Sequence, residues 1–345
     1  MRFEHGDAIE RKMTWVVAVL GFALLMIVHE AGHLLAARAF GMRVIRFSIG
    51  FGPAIWRYQP KGSDTVYQLA LIPFLAYVQI AGMNPLEEAD PDDAGSFANA
   101  SLVGRITAIV AGPLANYLFA SVLFFFFFLY VPTTQIFVLP GGAAETASMR
   151  DGDVIVAIEG KEIKEWDDLR ETIIANPKKP LSVKVLREEK PVTLTVTPEA
   201  KGEKGEGFIG VQPDTKMDLR KADDAAIAAI AFPAEMIAGL VTVLARAVTF
   251  QEKPQVSGPV GILKEMKKAV DRGWSQYLYL IAFLSVSLAG INLVPFPGLD
   301  GGRLAFLTYE AVTRRRPNAK IEAHIHAVGI LMLLALIVVL SVQGR

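Results

Sequence analysis

The chain has 345 residues, no cysteine and a formal net charge of zero, and 52% of its residues are hydrophobic. Its mean hydropathy of +0.37 is too high for an ordinary soluble protein and indicates membrane spans. The lack of cysteine excludes disulfides and thiolate metal sites, and without a basic block no nucleic-acid partner is expected.

Four apolar segments predict four membrane spans. They cover about residues 13–40, 106–131, 277–296 and 327–342. The second has no charged residue and is longer than the roughly 20 residues that a bilayer requires. The chain is therefore expected to fold as a polytopic α-helical membrane protein.

A fifth apolar stretch, residues 225–245, contains Pro233 and Glu235. Both residues disfavour a continuous span, and we interpret the stretch as an amphipathic helix on the membrane surface. It belongs to a helical linker over residues 216–256.

Residues 135–215 are polar and separate the second span from the third. Alternating apolar residues over 181–198 predict a hairpin with its turn at "EEKP", and "EWDDLRETIIA" predicts a short amphipathic helix. These elements indicate one compact α+β domain inserted into the membrane protein.

The first span contains three ionisable residues, His29, Glu30 and His33. On a helix the two histidines lie on one face, where their rings can share a Zn²⁺ ion. Glu30 is then placed to take a proton from a water on the metal. The alternative, a histidine paired with a neighbouring helix and a snorkelling glutamate, needs a separate explanation for each polar residue.

A catalytic zinc needs a third protein ligand. His324 and His326 are two residues apart and face different sides of a helix, so they cannot act as a pair. Asp300 follows a proline- and glycine-rich break in the third span, and broken backbone at membrane depth is tolerated where it lines a protein cavity. We prefer Asp300 as the ligand; its alternative role is to cap the next helix.

Three motifs occur in order along the chain: "HEAGH" (29–33), "GPLAN" (112–116) and "NLVPFPGLDGG" (292–302). Together with "FSIGFGP" (47–53) and "SGPVGI" (257–262), they resemble the site-2 protease family of intramembrane zinc metalloproteases, in particular its bacterial members that regulate sigma-E. The resemblance implies one zinc per chain, held by His29, His33 and Asp300, with Glu30 activating the water.

The resemblance also implies substrate-binding roles for two asparagines in the membrane. Asn116 is expected to hydrogen-bond the scissile carbonyl of the substrate and to stabilise the oxyanion that forms from it, or else to join two helices. Asn292 is expected to contact the substrate. Residues 66–82 resemble the membrane-reentrant β-hairpin of the family, whose free edge could pair with an extended substrate. Leu75 and Ala76 stand where the family often has two glycines, which disfavours a two-residue turn.

Residues 135–215 resemble a PDZ domain, with Ser148 where such domains often have glycine. A PDZ fold binds peptides by adding a strand to a sheet edge. The domain could equally act as a steric plug that excludes large substrates, and the sequence leaves both roles open.

The predicted architecture is a membrane core of residues 1–134 and 257–345 around the PDZ-like domain and its linker. The predicted function is an intramembrane zinc endopeptidase that cleaves the transmembrane segment of a single-pass protein, such as an anti-sigma factor. One rival is a metal transporter, which predicts inverted repeats that the sequence lacks. The other is an inactive scaffold with a peptide-binding outer domain, which has no use for Glu30.

Arginine and lysine are frequent in the loops 38–105 and 303–320, which should therefore face the cytoplasm. This places the PDZ-like domain and both termini outside, in a bacterial inner membrane. Arg2, Arg11 and Lys12 at the N-terminus argue weakly for the opposite orientation.

Overall fold

A computed structural model describes residues 2–84, 90, 92–132, 134–163, 166–202, 205–213, 217–219, 222–248 and 258–343. Within these residues the helices are α1 (Arg2–Ala39), α2 (Leu102–Phe128), α3 (Ala143–Thr146), α4 (Trp166–Ile174), α5 (Ala222–Val248), α6 (Pro259–Arg272), α7 (Trp274–Asn292), α8 (Asp300–Thr313) and α9 (Ala319–Gln343).

The strands in the same part of the chain are β1 (Val44–Tyr58), β2 (Val66–Ile80), β3 (Tyr130–Pro132), β4 (Ile136–Val138), β5 (Val154–Ile158), β6 (Lys161–Glu162), β7 (Leu181–Arg187), β8 (Lys190–Val196), β9 (Glu199–Lys201), β10 (Glu206–Phe208), β11 (Val211–Pro213) and β12 (Met217–Leu219). The chain divides into two compact units, one of residues 1–124 with 229–345 and the other of residues 125–228.

Five helices are long and apolar enough to cross a membrane: Met13–Ala39, Leu102–Phe128, Ala222–Arg246, Trp274–Asn292 and Ala319–Val339. Four of them overlap the predicted spans. The third contains the stretch predicted as a surface helix, and α5 continues through Pro233 and Glu235 instead of stopping there. By length and composition this stretch could also cross the membrane, so the prediction of four membrane crossings is not tested by these helices alone.

Small residues let the membrane helices approach closely. A Cβ on Gly21 of α1 would lie 2.0 Å from the Tyr277 hydroxyl of α7, which donates to the Val17 carbonyl. A Cβ on Gly32 would lie 2.1 Å from the Ala111 carbonyl of α2. Close backbone approach of this kind is typical of helix packing in membranes. It brings the histidine face of α1 directly against α2.

β1 and β2 each fold back on themselves. Residues 46–49 of β1 pair with residues 66–69 on one side and with residues 76–79 on the other. β2 thus has two arms, residues 66–69 and residues 76–79. The first arm also pairs with residues 56–58 of β1, so both of its edges are occupied. The predicted hairpin over 66–82 therefore does not pair with itself, because β1 lies between its two arms. Two strand spacings separate the arms, and their connection is wider than a two-residue turn.

The second unit contains the antiparallel sheet β6-β5-β7-β8. β7 and β8 form the predicted hairpin, and its turn residues Glu188 and Glu189 both have positive φ, at 49° and 64°. Two positive φ values match a type I′ turn, whose twist suits a hairpin. Alternate residues of β7 are buried in the unit's core, which also contains Leu169 of α4.

A buried ion pair fixes one side of this sheet. Arg187 donates from Nε and Nη2 to both oxygens of Asp153, at 2.8 and 2.7 Å, and Asp153 is only 1% exposed. Burial raises the pKa of Asp153, but the hydrogen bonds from Arg187 and the Arg150 amide outweigh it and hold the pKa below its ordinary value. Arg187 also donates to the carbonyl of Ser148, which adopts the left-handed φ of 63° that is usually left to glycine.

Candidate metal centre

Three side chains from two distant helices converge at one point. His29 and His33 lie one turn apart on α1, with their Nε2 atoms 3.2 Å apart. Asp300, the first residue of α8, places Oδ2 3.1 Å from His29 Nε2 and 3.3 Å from His33 Nε2. Both histidines are 5% exposed. These are the three residues that the sequence predicted as metal ligands.

The geometry of this cluster fits a zinc ion. Tetrahedral ligands at bond lengths near 2.0 Å lie about 3.3 Å from one another, close to the three observed separations. The tautomer points the same way: His33 donates from Nδ1 to the Ala108 carbonyl at 2.7 Å, which leaves the lone pair on Nε2. Among the described residues, no hydrogen-bond donor reaches the buried Oδ2 of Asp300. Lone pairs that converge in a buried site need a cation between them.

The second nitrogen of each histidine also has a partner, as is usual for histidines that bind metals. The Ala108 carbonyl orients His33, and the amide of Asn116 lies 3.3 Å from His29 Nδ1. When His29 ligates through Nε2, its Nδ1 carries the proton. Asn116 Oδ1 has no partner in the described part of the chain. When the Asn116 amide is flipped, so that Oδ1 and Nδ2 exchange places, Oδ1 accepts a hydrogen bond from the Nδ1–H of His29. Nδ2 of Asn116 is then left as a free donor.

Glu30 follows His29 directly and its carboxylate contacts the sheet. Its Oε2 accepts the backbone N–H of Val78, in the second arm of β2, at 2.9 Å. In the part of the chain that the structure describes, residues 76–79 pair along one edge only, with β1, so this contact lies on their other edge. The candidate base and the open strand edge are therefore neighbours.

Glycines make the space that the ligands occupy. A Cβ on Gly112 of α2 would lie 2.3 Å from His33 Nε2. On α8, Cβ atoms on Gly301 and Gly302 would lie 2.1 and 2.4 Å from the carbonyls of Val294 and Phe296. Sequence reasoning quoted Gly112 within a motif and gave it no role, and it interpreted Gly301 and Gly302 only as part of the break in the third span. Their places beside the ligands in "GPLAN" and "LDGG" were the available signal.

Other candidate residues lie outside the cluster. Asn292 donates from Nδ2 to the Leu288 carbonyl of its own helix, at 3.0 Å. His324 is exposed, and its ring contacts the Lys320 carbonyl one turn earlier. His326 accepts the Gly298 N–H through Nδ1 at 3.0 Å. Neither of these two histidines belongs to the buried group formed by His29, His33 and Asp300.

Comparisons with known proteins agree with this chemistry. The sequence model of Peptidase family M50 matches residues 17–336. The chain is 29% identical to the zinc metalloprotease RasP of Geobacillus kaustophilus, over 97% of both chains. It is 27% identical to the regulator of sigma-W protease RasP of Bacillus subtilis and 28% identical to the zinc metalloprotease RasP of Bacillus licheniformis. Each of these two matches covers 95% of this chain and 97% of the relative.

Proposed function

Because the chain belongs to Peptidase family M50 and is a zinc metalloprotease with several membrane helices, we propose that it cleaves the transmembrane segments of single-pass proteins. One observation carries the proposal. His29 and His33 of the cluster, with Glu30 beside them, lie on α1, within the apolar stretch Met13–Ala39, and Asp300 joins them from the start of α8. A peptide bond cleaved there has to enter the membrane.

The residues of the site divide the chemistry among them. Zinc held by His29, His33 and Asp300 supplies a Lewis acid that polarises the scissile carbonyl and activates water. Glu30 accepts the proton of the attacking water and passes it to the leaving nitrogen. The free amide donor of Asn116 hydrogen-bonds the carbonyl oxygen as negative charge develops on it.

The free edge of residues 76–80 presents the substrate. A helical transmembrane segment keeps its carbonyls hydrogen-bonded, so it has to unwind before hydrolysis. An unwound segment that adds to this edge has its backbone groups satisfied inside the membrane. Because Val78 donates to Glu30, the added strand lies next to the base.

The name of the Bacillus subtilis relative, a regulator of sigma-W protease, supports an anti-sigma factor as the substrate class. A single-pass anti-sigma factor offers one transmembrane segment, which suits a site that accepts an extended strand. The proposed location is the bacterial inner membrane, with residues 135–215 outside the cytoplasm.

Within the second unit, a groove of about 490 Å³ between α4 and the strands β10 and β11 supports a peptide-binding role for the PDZ-like domain. Its lining is mainly apolar and includes two cations and the carboxylate of Glu206; the apolar surface and the cations suit a chain end with an apolar last residue and a free carboxylate. The apolar residues include Trp166, Leu169, Ile173, Phe208 and Val211, and the cations are Arg170 and Lys201.

The decisive experiment uses the purified full chain in liposomes with a labelled single-pass peptide. We expect cleavage that a zinc chelator stops and added zinc restores. Glu30→Gln should keep the zinc and lose at least about 100-fold in rate, because the proton acceptor is gone. Turnover by Glu30→Gln above a few per cent of wild type contradicts the mechanism. Zinc flux across the liposomes without cleavage would favour a transporter.

A further inference from the structure

The seven-residue loop from Leu293 to Leu299 joins α7 to α8 and delivers Asp300 to the cluster. Leu299 precedes α8 without a side-chain cap, so no capping group fixes the start of the helix. Gly298 has a left-handed φ of 96°, a conformation that other residues rarely adopt. The position of Asp300 therefore depends on what holds this loop.

α9 packs directly on the loop. A Cβ on Gly329 would lie 2.0 Å from the Pro297 carbonyl, so the two backbones are in close contact. One turn earlier on α9, His326 Nδ1 accepts the N–H of Gly298 at 3.0 Å. In the described part of the chain, this is the only side-chain hydrogen bond to the backbone of residues 293–299.

The protonation of His326 follows from this contact. Because Nδ1 accepts a hydrogen bond, the proton of the neutral ring is on Nε2. His326 is 9% exposed, and its buried Nε2 has no hydrogen-bond partner within the residues that the structure describes. A buried donor left unpaired costs stability, whereas an apolar side chain in the same place would not. The stability of α9 therefore does not account for a histidine at this position.

We propose that His326 is a positioning residue for the zinc site: it fixes Gly298 and, through the two peptide bonds that follow, holds Asp300 at ligating distance. Metal ligands keep their geometry only when the groups around them are fixed to a fraction of an ångström. The proposal rests on the zinc centre of the proposed function and is independent of the substrate.

Three substitutions separate this role from simple packing. His326→Asn keeps an acceptor, because Oδ1 of asparagine stands at the same bond distance from the backbone as Nδ1 of histidine. His326→Gln places its oxygen one bond farther out, and His326→Ala has no acceptor. His324→Ala is the matched control, since His324 lies two residues away on the same helix and is exposed.

The measurements are zinc dissociation into excess chelator and the visible spectrum of the cobalt-substituted protein, both on the full chain in detergent. We expect His326→Gln and His326→Ala to release zinc roughly 10- to 100-fold faster and to show an altered cobalt spectrum. His326→Asn should stay within about threefold of wild type, and His324→Ala should match it. In cleavage of a model peptide, His326→Gln and His326→Ala should lower kcat and leave KM unchanged.

Two results would overturn the proposal. One is wild-type zinc release from His326→Ala. The other is an equal change in the asparagine and glutamine variants, which would show that the size of the side chain at position 326, and not its acceptor, determines the effect. If alanine prevents folding, the asparagine and glutamine pair still decides. Neither metal measurement uses a substrate, so failure of the proposed protease activity would be seen separately.

Discussion

Gly112 of α2 lies directly against His33, and a Cβ there would be 2.3 Å from His33 Nε2. The centre thus depends on a residue that has no functional group. Around it, the Ala108 carbonyl, the Asn116 amide and the Val78 N–H contact His33, His29 and Glu30 respectively. At the scale of single residues, each polar side chain of the site is therefore oriented by a contact with another polar group, although the environment is apolar.

Replacement of Gly112 by alanine should displace the His33 ring, because the added methyl group occupies its position. We expect zinc affinity and cleavage to fall together, by roughly 10- to 100-fold. Gly239→Ala on α5 is the control, since, apart from the backbone of its own helix, no described atom lies within 4 Å of the Cβ it would add. Both variants are compared by zinc titration with a competing chelator. Wild-type affinity in Gly112→Ala would show that His33 does not bind the metal in this orientation.

The spacing of His29 and His33 was predictable because helix geometry is local: four residues make about one turn. Asp300 lies far along the chain, and no periodicity relates it to the histidines. Only a family motif and the proline-rich break suggested it. The role of Gly112 depends on which face of α2 meets α1, and a single sequence does not contain that contact.

At the scale of elements, the sheet of β1 and β2 is the main departure from the sequence prediction. The apolar run over residues 66–82 correctly suggested two strand arms. It gave no sign that residues 46–49 would lie between them. Strand pairing is a long-range choice, and "FSIGFGP" was noted for its resemblance without being assigned to a strand. The edge donor next to Glu30 is the N–H of Val78.

Val78→Pro should remove that donor, because proline has no N–H. We expect cleavage to slow by at least about tenfold, since both substrate pairing and the placement of Glu30 use this edge. Val78→Ala is the matched control, because it shortens the side chain and keeps the N–H. Zinc content should be the same in both. An unchanged rate in Val78→Pro would show that substrate does not use this edge.

At the scale of the whole molecule, the directions of the helices constrain the number of crossings. Val17, near the start of the apolar stretch of α1, contacts Tyr277, near the start of α7. Farther along, His29 and Ser285 both contact Asn116. α1 and α7 therefore run in the same direction, and an odd number of crossings separates them. α2 supplies one.

A complete crossing by α5 would require a further crossing before α7. Residues 249–273 contain no apolar stretch of the roughly 20 residues that this needs. We therefore keep the prediction of four crossings, although the apolar run of α5 has the length and composition of a span. The sequence could not decide this point, because it depends on helix direction.

The same topology predicts which surfaces a membrane-impermeant thiol reagent can reach. The chain has no cysteine, so one introduced residue reports alone. Ser182→Cys, exposed on β7, should react in intact cells once any outer membrane is permeabilised. Lys61→Cys, in the turn between β1 and β2, should react only after lysis. The reverse pattern would place the second unit in the cytoplasm.

The central claim is that His29, His33 and Asp300 hold one zinc ion, and metal analysis of the Asp300→Asn variant tests it most directly. The wild type and Glu30→Gln should each contain about one zinc per chain, because both keep the three ligands. Asp300→Asn should contain much less and lose activity in parallel, because the only negative ligand is gone. Full zinc occupancy in Asp300→Asn would place the third ligand elsewhere and contradict the account.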